Sequence, residues 1–208
     1  MKESSELTLY AYPFRSRAER VLWAIQELGL NCNVIRIKPF VGDGPNPELL
    51  KINPDGKVPV LIHGEKALTE SLAIIEYLNS ISGNAKLVPV TQDSIYDFRN
   101  KMHYGLTEIE PYLWFSEQAG GPLKRFYNWP QDIYPESINR VLRASKSVSA
   151  FIVDNAYLSE VGFTMLDIYY YHILTWAKQH GIEHSADIEE YLNRLEKRET
   201  FPKEMYWK

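Results

Sequence analysis

The chain has 208 residues, 45% of them hydrophobic, enough to bury the core of one large domain or two small ones, and we read two. Its 27 acidic and 23 basic residues give a net charge of −4 with no long basic run, a balance that offers no footing for nucleic acid or an anionic membrane surface. No apolar run approaches a membrane span, and the opening Met1-Lys2-Glu3-Ser4-Ser5-Glu6 lacks the apolar core of a signal peptide, so a cytoplasmic protein is expected.

In chain order, Leu7 to Tyr12 alternates and is rich in β-formers, which predicts a first strand. Pro13-Phe14-Arg15 reads as a loop, and Arg17 to Leu28 as a helix with Ala18, Val21, Leu22, Ile25 and Leu28 on one stripe, capped by Gly29. Cys32, the single cysteine, has no internal partner; its setting between loop and strand predicts a half-buried structural thiol. Val34 to Ile37 completes a βαβ pattern with parallel strands. Lys38 to Leu50, broken by Gly42, Gly44, Pro45 and Pro47, reads as a loop with at most a short helix at 47–51. Strands are then expected over Val58 to Ile62 and around Ala67-Leu68. They are joined by a turn at His63-Gly64-Glu65-Lys66, with His63 in solvent. A helix over Ser71 to Leu78 closes this part. The five histidines show no metal-ligand spacing, and no metal is expected.

Ser, Gly, Asn and Pro residues after Asn79 mark a linker, placed at 81–91, and only helical patterns follow it. One helix is predicted from Asp93 to Phe115 with a kink at Pro111, whose ring opposes the Thr107 carbonyl. The stretch from Gly120 to Pro135 reads as an irregular connection, and a second helix runs from Glu136 to Ala156. Thr164-Met165-Leu166-Asp167 is a capping box with Asp in place of the usual Glu or Gln, opening a buried helix over Ile168 to Ala177; a last helix covers Ile188 to Arg198.

Two stretches carry the chemistry. Asn53-Pro54-Asp55-Gly56-Lys57-Val58-Pro59 is a turn entering a strand on a proline, which cannot donate to a ladder. Leu68-Thr69-Glu70-Ser71 sets a carboxylate and a hydroxyl where free N–H groups begin a helix, an anion site with an acid beside it. Together they resemble the glutathione site of the cytosolic glutathione transferase family, in which a cis Val-Pro precedes a Glu/Gln-Ser pair at a helix start. The resemblance covers nearly the whole chain, with no useful match between Glu117 and Pro135. It implies a bacterial-type member with a thioredoxin-like α/β domain over 1–80, an all-α domain over 92–208, a homodimeric assembly, and glutathione as co-substrate without a metal. It also implies roles: a cis Val58-Pro59 bond that turns the Val58 backbone toward the peptide, with Lys57 and Pro59 beside it, Glu70 against the γ-glutamyl ammonium, and Ser71 against the adjacent carboxylate.

What activates the glutathione thiol is left open. A thiol with pKa ~8.5 is only a few per cent thiolate at neutral pH, and one hydrogen bond to the charged sulfur would lower that value by ~1 to 2 units. Family members use Tyr, Ser or Cys near the end of the first strand. Here Arg15-Ser16-Arg17-Ala18-Glu19 resembles the Arg-x-Arg-x-Glu step of the tyrosine classes, yet Ala11 stands where their tyrosine would be, and alternation turns Tyr10 and Tyr12 to the other face. No cysteine lies nearby. Ser16, four residues before Arg20, matches the serine-type members, while Ser16-x-x-Glu19 also reads as a capping box; Tyr12 is the alternative donor. Arg17 either adds positive potential or is a solvated ion-pair residue. The electrophile is expected beside Phe14, His103, Tyr104 and Leu106. The expected function is conjugation of glutathione to a small electrophile. Isomerisation, dehalogenation and ether cleavage would use the same site. The rival from another class is a catalytically silent interaction or regulatory protein, which Ala11 favours and the intact Lys57-Val58-Pro59 and Glu70-Ser71 oppose.

Overall fold

Leu7, Leu9 and Ala11 are buried while Thr8 and Tyr10 are half-exposed, the period-two pattern of a strand with one face in a core, and they form β1 (Leu7–Ala11) in a computed structural model that describes residues 6–12, 16–42, 44–152 and 156–203. α1 (Ala18–Leu28) follows and stops at Gly29, whose left-handed φ of 64° lets its N–H and that of Leu30 return to the last carbonyls. β2 (Asn33–Arg36) then lies parallel to β1 with Val34 opposite Leu9. β5 (Val60–His63) pairs antiparallel to β1 on its other side and β6 (Lys66–Leu68) to β5, giving the order β2-β1-β5-β6. α3 (Ser71–Ile81) completes a thioredoxin-like unit.

Several local expectations need correction. The ladder of β5 begins at Val60, not Val58, because Pro59 has no N–H to give. His63 is not a solvated turn residue: it ends β5 half-buried, with Nδ1 2.6 Å from the Tyr77 hydroxyl of α3. Within the stretch read as a loop, β3 (Phe40–Val41) and β4 (Gly44–Pro45) form a short hairpin, while the short helix allowed at 47–51 is present as α2 (Pro47–Ile52), starting on Asn46, whose side chain accepts from the Glu48 N–H at 2.9 Å.

The chain divides into two compact units between Leu87 and Val88, and residues 199–203 group with the first unit. There Phe201 meets Trp23 edge to face with ring centroids 5.1 Å apart, and the Thr200 hydroxyl donates to the Glu27 carboxylate, which Lys86 also approaches at 3.4 Å.

In the second unit α4 (Gln92–Tyr104) does not run on into α5 (Glu110–Ala119) through a kink at Pro111. A widened π turn over Gly105–Ile109 separates them, with the Glu110 N–H reaching back to Gly105 O. The turn sits one residue short of the proline because the missing N–H and the ring together break the α ladder at the Thr107 carbonyl. Gly105 serves a second purpose: a Cβ there would lie 2.4 Å from the ring of Tyr169, which packs against the bare backbone. α6 (Ile133–Lys146) starts three residues earlier than expected and gives way to a 3₁₀ turn at Ser147–Phe151. α7 (Met165–Gln179) and α8 (Ala186–Glu196) follow, α7 buried along almost its whole length. Among the described residues no helix is long and apolar enough to cross a membrane.

The capping box of α7 forms with Asp167 as its acidic member. The two carboxylate oxygens accept from the N–H groups of Thr164 (2.8 Å) and Leu158 (2.9 Å) and from the Tyr191 hydroxyl of α8 (3.0 Å). Burial pushes Asp167 up to about 6, against the pull of these donors. An acid raised in the folded state stabilises most when protonated. Its contribution is full below the unfolded value of ~3.9 and is lost as pH rises through about 6, leaving a cost of ~3 kcal/mol at neutral pH. Urea titrations should therefore show wild type gaining about 1 kcal/mol between pH 7 and pH 5 relative to Asp167→Asn. Asp167→Ala, which orphans three buried donors, should lose about 3 kcal/mol or more at either pH.

Candidate functional site

Ser16 sits one residue before the cap of α1. Its Oγ accepts from the Ala18 N–H at 3.2 Å and donates to the Tyr12 carbonyl, while the Glu19 N–H bonds the Ser16 carbonyl. The expected box with Glu19 is thus a tighter serine turn, and Glu19 itself is buried. Four, three and four residues on from Ser16, with the same facing on α1, lie Arg20, Trp23 and Glu27. All three are buried, a polar stripe beside the apolar one.

The approach to β5 is held by Asn53, 5% exposed. Its amide donates to the Lys57 carbonyl at 2.9 Å and accepts from the Asp55 N–H at 3.1 Å, while its backbone carbonyl takes the Gly56 N–H. Gly56 has φ 61°, and a Cβ there would press Leu50 and Pro45 at 3.2 and 3.3 Å, so this turn requires glycine. Lys57 is exposed, Val58 half-buried, Pro59 buried, and the Val58–Pro59 peptide is cis.

The start of α3 is built differently from that of α7. Glu70 holds φ 64° and ψ 111°, the one described non-glycine residue at positive φ, and its side chain makes no capping bond. Its exposed carboxylate therefore stands beside the helix N-terminus instead of closing it. Ser71 follows, buried, with its Oγ accepting from Arg20 Nη1 at 3.4 Å. In the hairpin of β5 and β6, Leu61 faces Leu68, and the register run on to its open end brings Val58-Pro59 and Glu70-Ser71 to the same end.

Four residues are expected around the electrophile. Phe14 lies outside the described residues. His103 is exposed and lines an open depression of about 670 Å³ on α4 with Val90, Ile95, Tyr96 and Arg99. Tyr104 instead sends its hydroxyl to the Ala144 carbonyl at 3.2 Å and its ring edge-on to Phe151, and Leu106 is exposed in the π turn. Tyr12 is half-buried. Cys32 is half-buried, its Sγ 3.6 Å from the Asn33 carbonyl, and burial pushes the thiol up, away from reactive thiolate. Among the described residues no group of three or more metal-ligating side chains comes together. Two site residues escaped sequence reading. Asn53 opens the motif already quoted and carried an Asx-turn signal; Arg20 was visible only as a charge spaced for the same helix face as Ser16.

An α/β unit with β2-β1-β5-β6 order, a cis Val-Pro before β5 and a helical unit after it define a thioredoxin-like two-unit protein of the glutathione transferase fold. Residues 5–80 match the family domain described as "Glutathione S-transferase, N-terminal domain". Over 87 residues the chain is 39% identical to glutathione S-transferase 1 of Dianthus caryophyllus, covering 42% of this chain and 39% of that protein. A longer alignment, 27% identical over 164 residues, covers 78% of this chain and 38% of a probable elongation factor 1-gamma 1 of Arabidopsis thaliana. The chain thus spans about two fifths of the length of these curated relatives. A crystal structure of a glutathione transferase homologue from Sulfitobacter with bound glutathione superposes with a TM-score of 0.80 over 97% of this chain and 100% of that one, at 22% identity. Residues 5–80 thus carry a glutathione S-transferase N-terminal domain, and the chain as a whole has the glutathione transferase fold.

Backbone strain at Glu70 is testable without any ligand. A non-glycine residue in this region costs ~1 to 3 kcal/mol, partly offset in a glycine variant by the extra freedom of its unfolded chain. Glu70→Gly should leave stability unchanged or raise it by about 1 kcal/mol in urea unfolding, whereas Glu70→Ala should bring no gain.

Proposed function

We propose that this protein binds glutathione in its first unit and adds the glutathione thiolate to a small electrophile. The observation that carries the reading is the convergence of the cis Val58–Pro59 peptide with the open, carboxylate-flanked start of α3 at one end of the β5–β6 hairpin. The Val58 backbone, beside Lys57 and Pro59, pairs with the cysteinyl peptide of the ligand. Glu70 takes the γ-glutamyl ammonium, and Ser71 takes the neighbouring carboxylate on the helix dipole.

Ser16 is the proposed thiolate donor and Tyr12 the alternative. A serine has one hydrogen, and Ser16 gives its own to the Tyr12 carbonyl. Exchanging that neutral bond, worth ~1 kcal/mol, for one to a charged sulfur, worth ~1.5 to 3, favours the sulfur once it is bound. Isomerisation, dehalogenation and ether cleavage would draw on the same thiolate. The second reading, a binding-only relative, is favoured by Ala11 and by the alignment with a probable elongation factor 1-gamma 1 that runs on into the helical unit. A cytoplasmic homodimer completes the proposal, and sedimentation at micromolar concentration should give a dimer.

Calorimetry with millimolar glutathione should detect binding to wild type and at least several-fold weaker binding to Glu70→Ala; no heat with wild type removes the proposal. Thiolate absorbance of the bound ligand then separates conjugation from binding alone. Ser16→Ala should raise the thiol pKa by ~1 to 2 units and slow conjugation by a similar power of ten. Ser16→Asp keeps the turn but sets a charge against sulfur, and should be inactive. An Asp variant as active as wild type would exclude the Ser16 hydroxyl and pass the role to Tyr12. A wild type that binds glutathione but leaves the thiol pKa at its solution value would support the binding-only reading.

A further inference from the structure

We propose that Arg20 is a positioning residue that aims the Ser71 hydroxyl at the ligand's carboxylate, an inference that rests on the glutathione reading of the site. Arg20 is 1% exposed on α1 and Ser71 4% exposed at the first position of α3, and the only direction their 3.4 Å bond can take is from guanidinium to hydroxyl oxygen, since arginine accepts nothing. One lone pair of Oγ is thereby occupied and its hydrogen is left to be given elsewhere. Other serines in this chain show what a helical hydroxyl does by default. Ser80, Ser82 and Ser116 each donate to a carbonyl three or four residues back, as Ser16 does to Tyr12. Ser71 stands at a helix start, and holding its oxygen from behind keeps the hydrogen directed outward, where the N–H groups of the first turn also point. A cation on the accepting side polarises the O–H and strengthens it as a donor to an anion. Arg20 touches no ligand atom in this scheme; it acts through Ser71.

A merely structural arginine and a positioning one differ in which ligand feels its loss. Calorimetry should compare glutathione with 4-aminobutanoyl-cysteinyl-glycine, the same peptide without the α-carboxylate, on wild type, Arg20→Met and Arg20→Lys. Arg20→Met should weaken glutathione about ten-fold and the decarboxylated peptide less than about two-fold, the loss expected when a charge-assisted bond is mis-aimed. Arg20→Lys keeps a donor cation on a more flexible stem and covers the case in which the methionine variant does not fold. It should lose about three-fold on glutathione and nothing measurable on the shorter peptide. Equal losses on both ligands, no loss on either, or a wild type that binds both peptides equally would overturn the positioning role while leaving the glutathione site standing. A wild type that binds neither peptide overturns both.

Discussion

A helix start inside a folded protein presents N–H groups that the helix itself cannot satisfy, and how each start is closed decides much of what this chain can do. At α7 the solution is internal. The Thr164 hydroxyl and the Asp167 carboxylate take the loose donors, and the same carboxylate reaches Leu158 and Tyr191, so three segments are joined at one buried acid. The ionised form is disfavoured there, and the chain tolerates that because three unmet donors would cost more. At α3 the start is left open. Glu70 is bent into a backbone conformation that few side chains adopt, its carboxylate does not cap, and Ser71 is held from behind by α1. One start builds structure and the other is available to a ligand.

The same contrast explains what could be read from the residues beforehand. Local signals that rest on one residue type in one conformation were legible: the alternation of β1, Gly29 after α1, the Thr164 and Asp167 pair, and the Val58-Pro59 and Glu70-Ser71 steps. Features that depend on distant partners were not. The π turn is announced by Pro111, but the need for a bare backbone at Gly105 comes from Tyr169, more than sixty residues on. His63 looked like a turn residue because nothing in sequence shows Tyr77 lying within 2.6 Å. Arg20 and Ser71 are likewise joined only by the packing of α1 on α3. Nor does sequence show which way neighbours on one helix face: adjacent helical residues such as His103 and Tyr104 point about 100° apart, so His103 faces an open depression and Tyr104 faces α6.

Ser16 shows why a catalytic assignment and a structural one need not exclude each other. Its oxygen accepts from the Ala18 N–H, a bond that asks for the lone pair, while chemistry on sulfur would ask for the hydrogen. The two demands fall on different parts of one hydroxyl, whose hydrogen goes to the Tyr12 carbonyl.

The return of Thr200 and Phe201 to α1 also bears on the order in which the protein is made. Residues up to Leu87 leave the ribosome before Val88 to Arg198, but the ring of Trp23 meets Phe201 and the carboxylate of Glu27 meets Thr200 only after roughly a hundred further residues have been synthesised. Until then Trp23 lacks its edge-to-face ring and Glu27 lacks its hydroxyl donor. The first unit therefore takes its last packing contacts from residues translated after the whole helical unit, so its α1 is completed only when that second unit has been made.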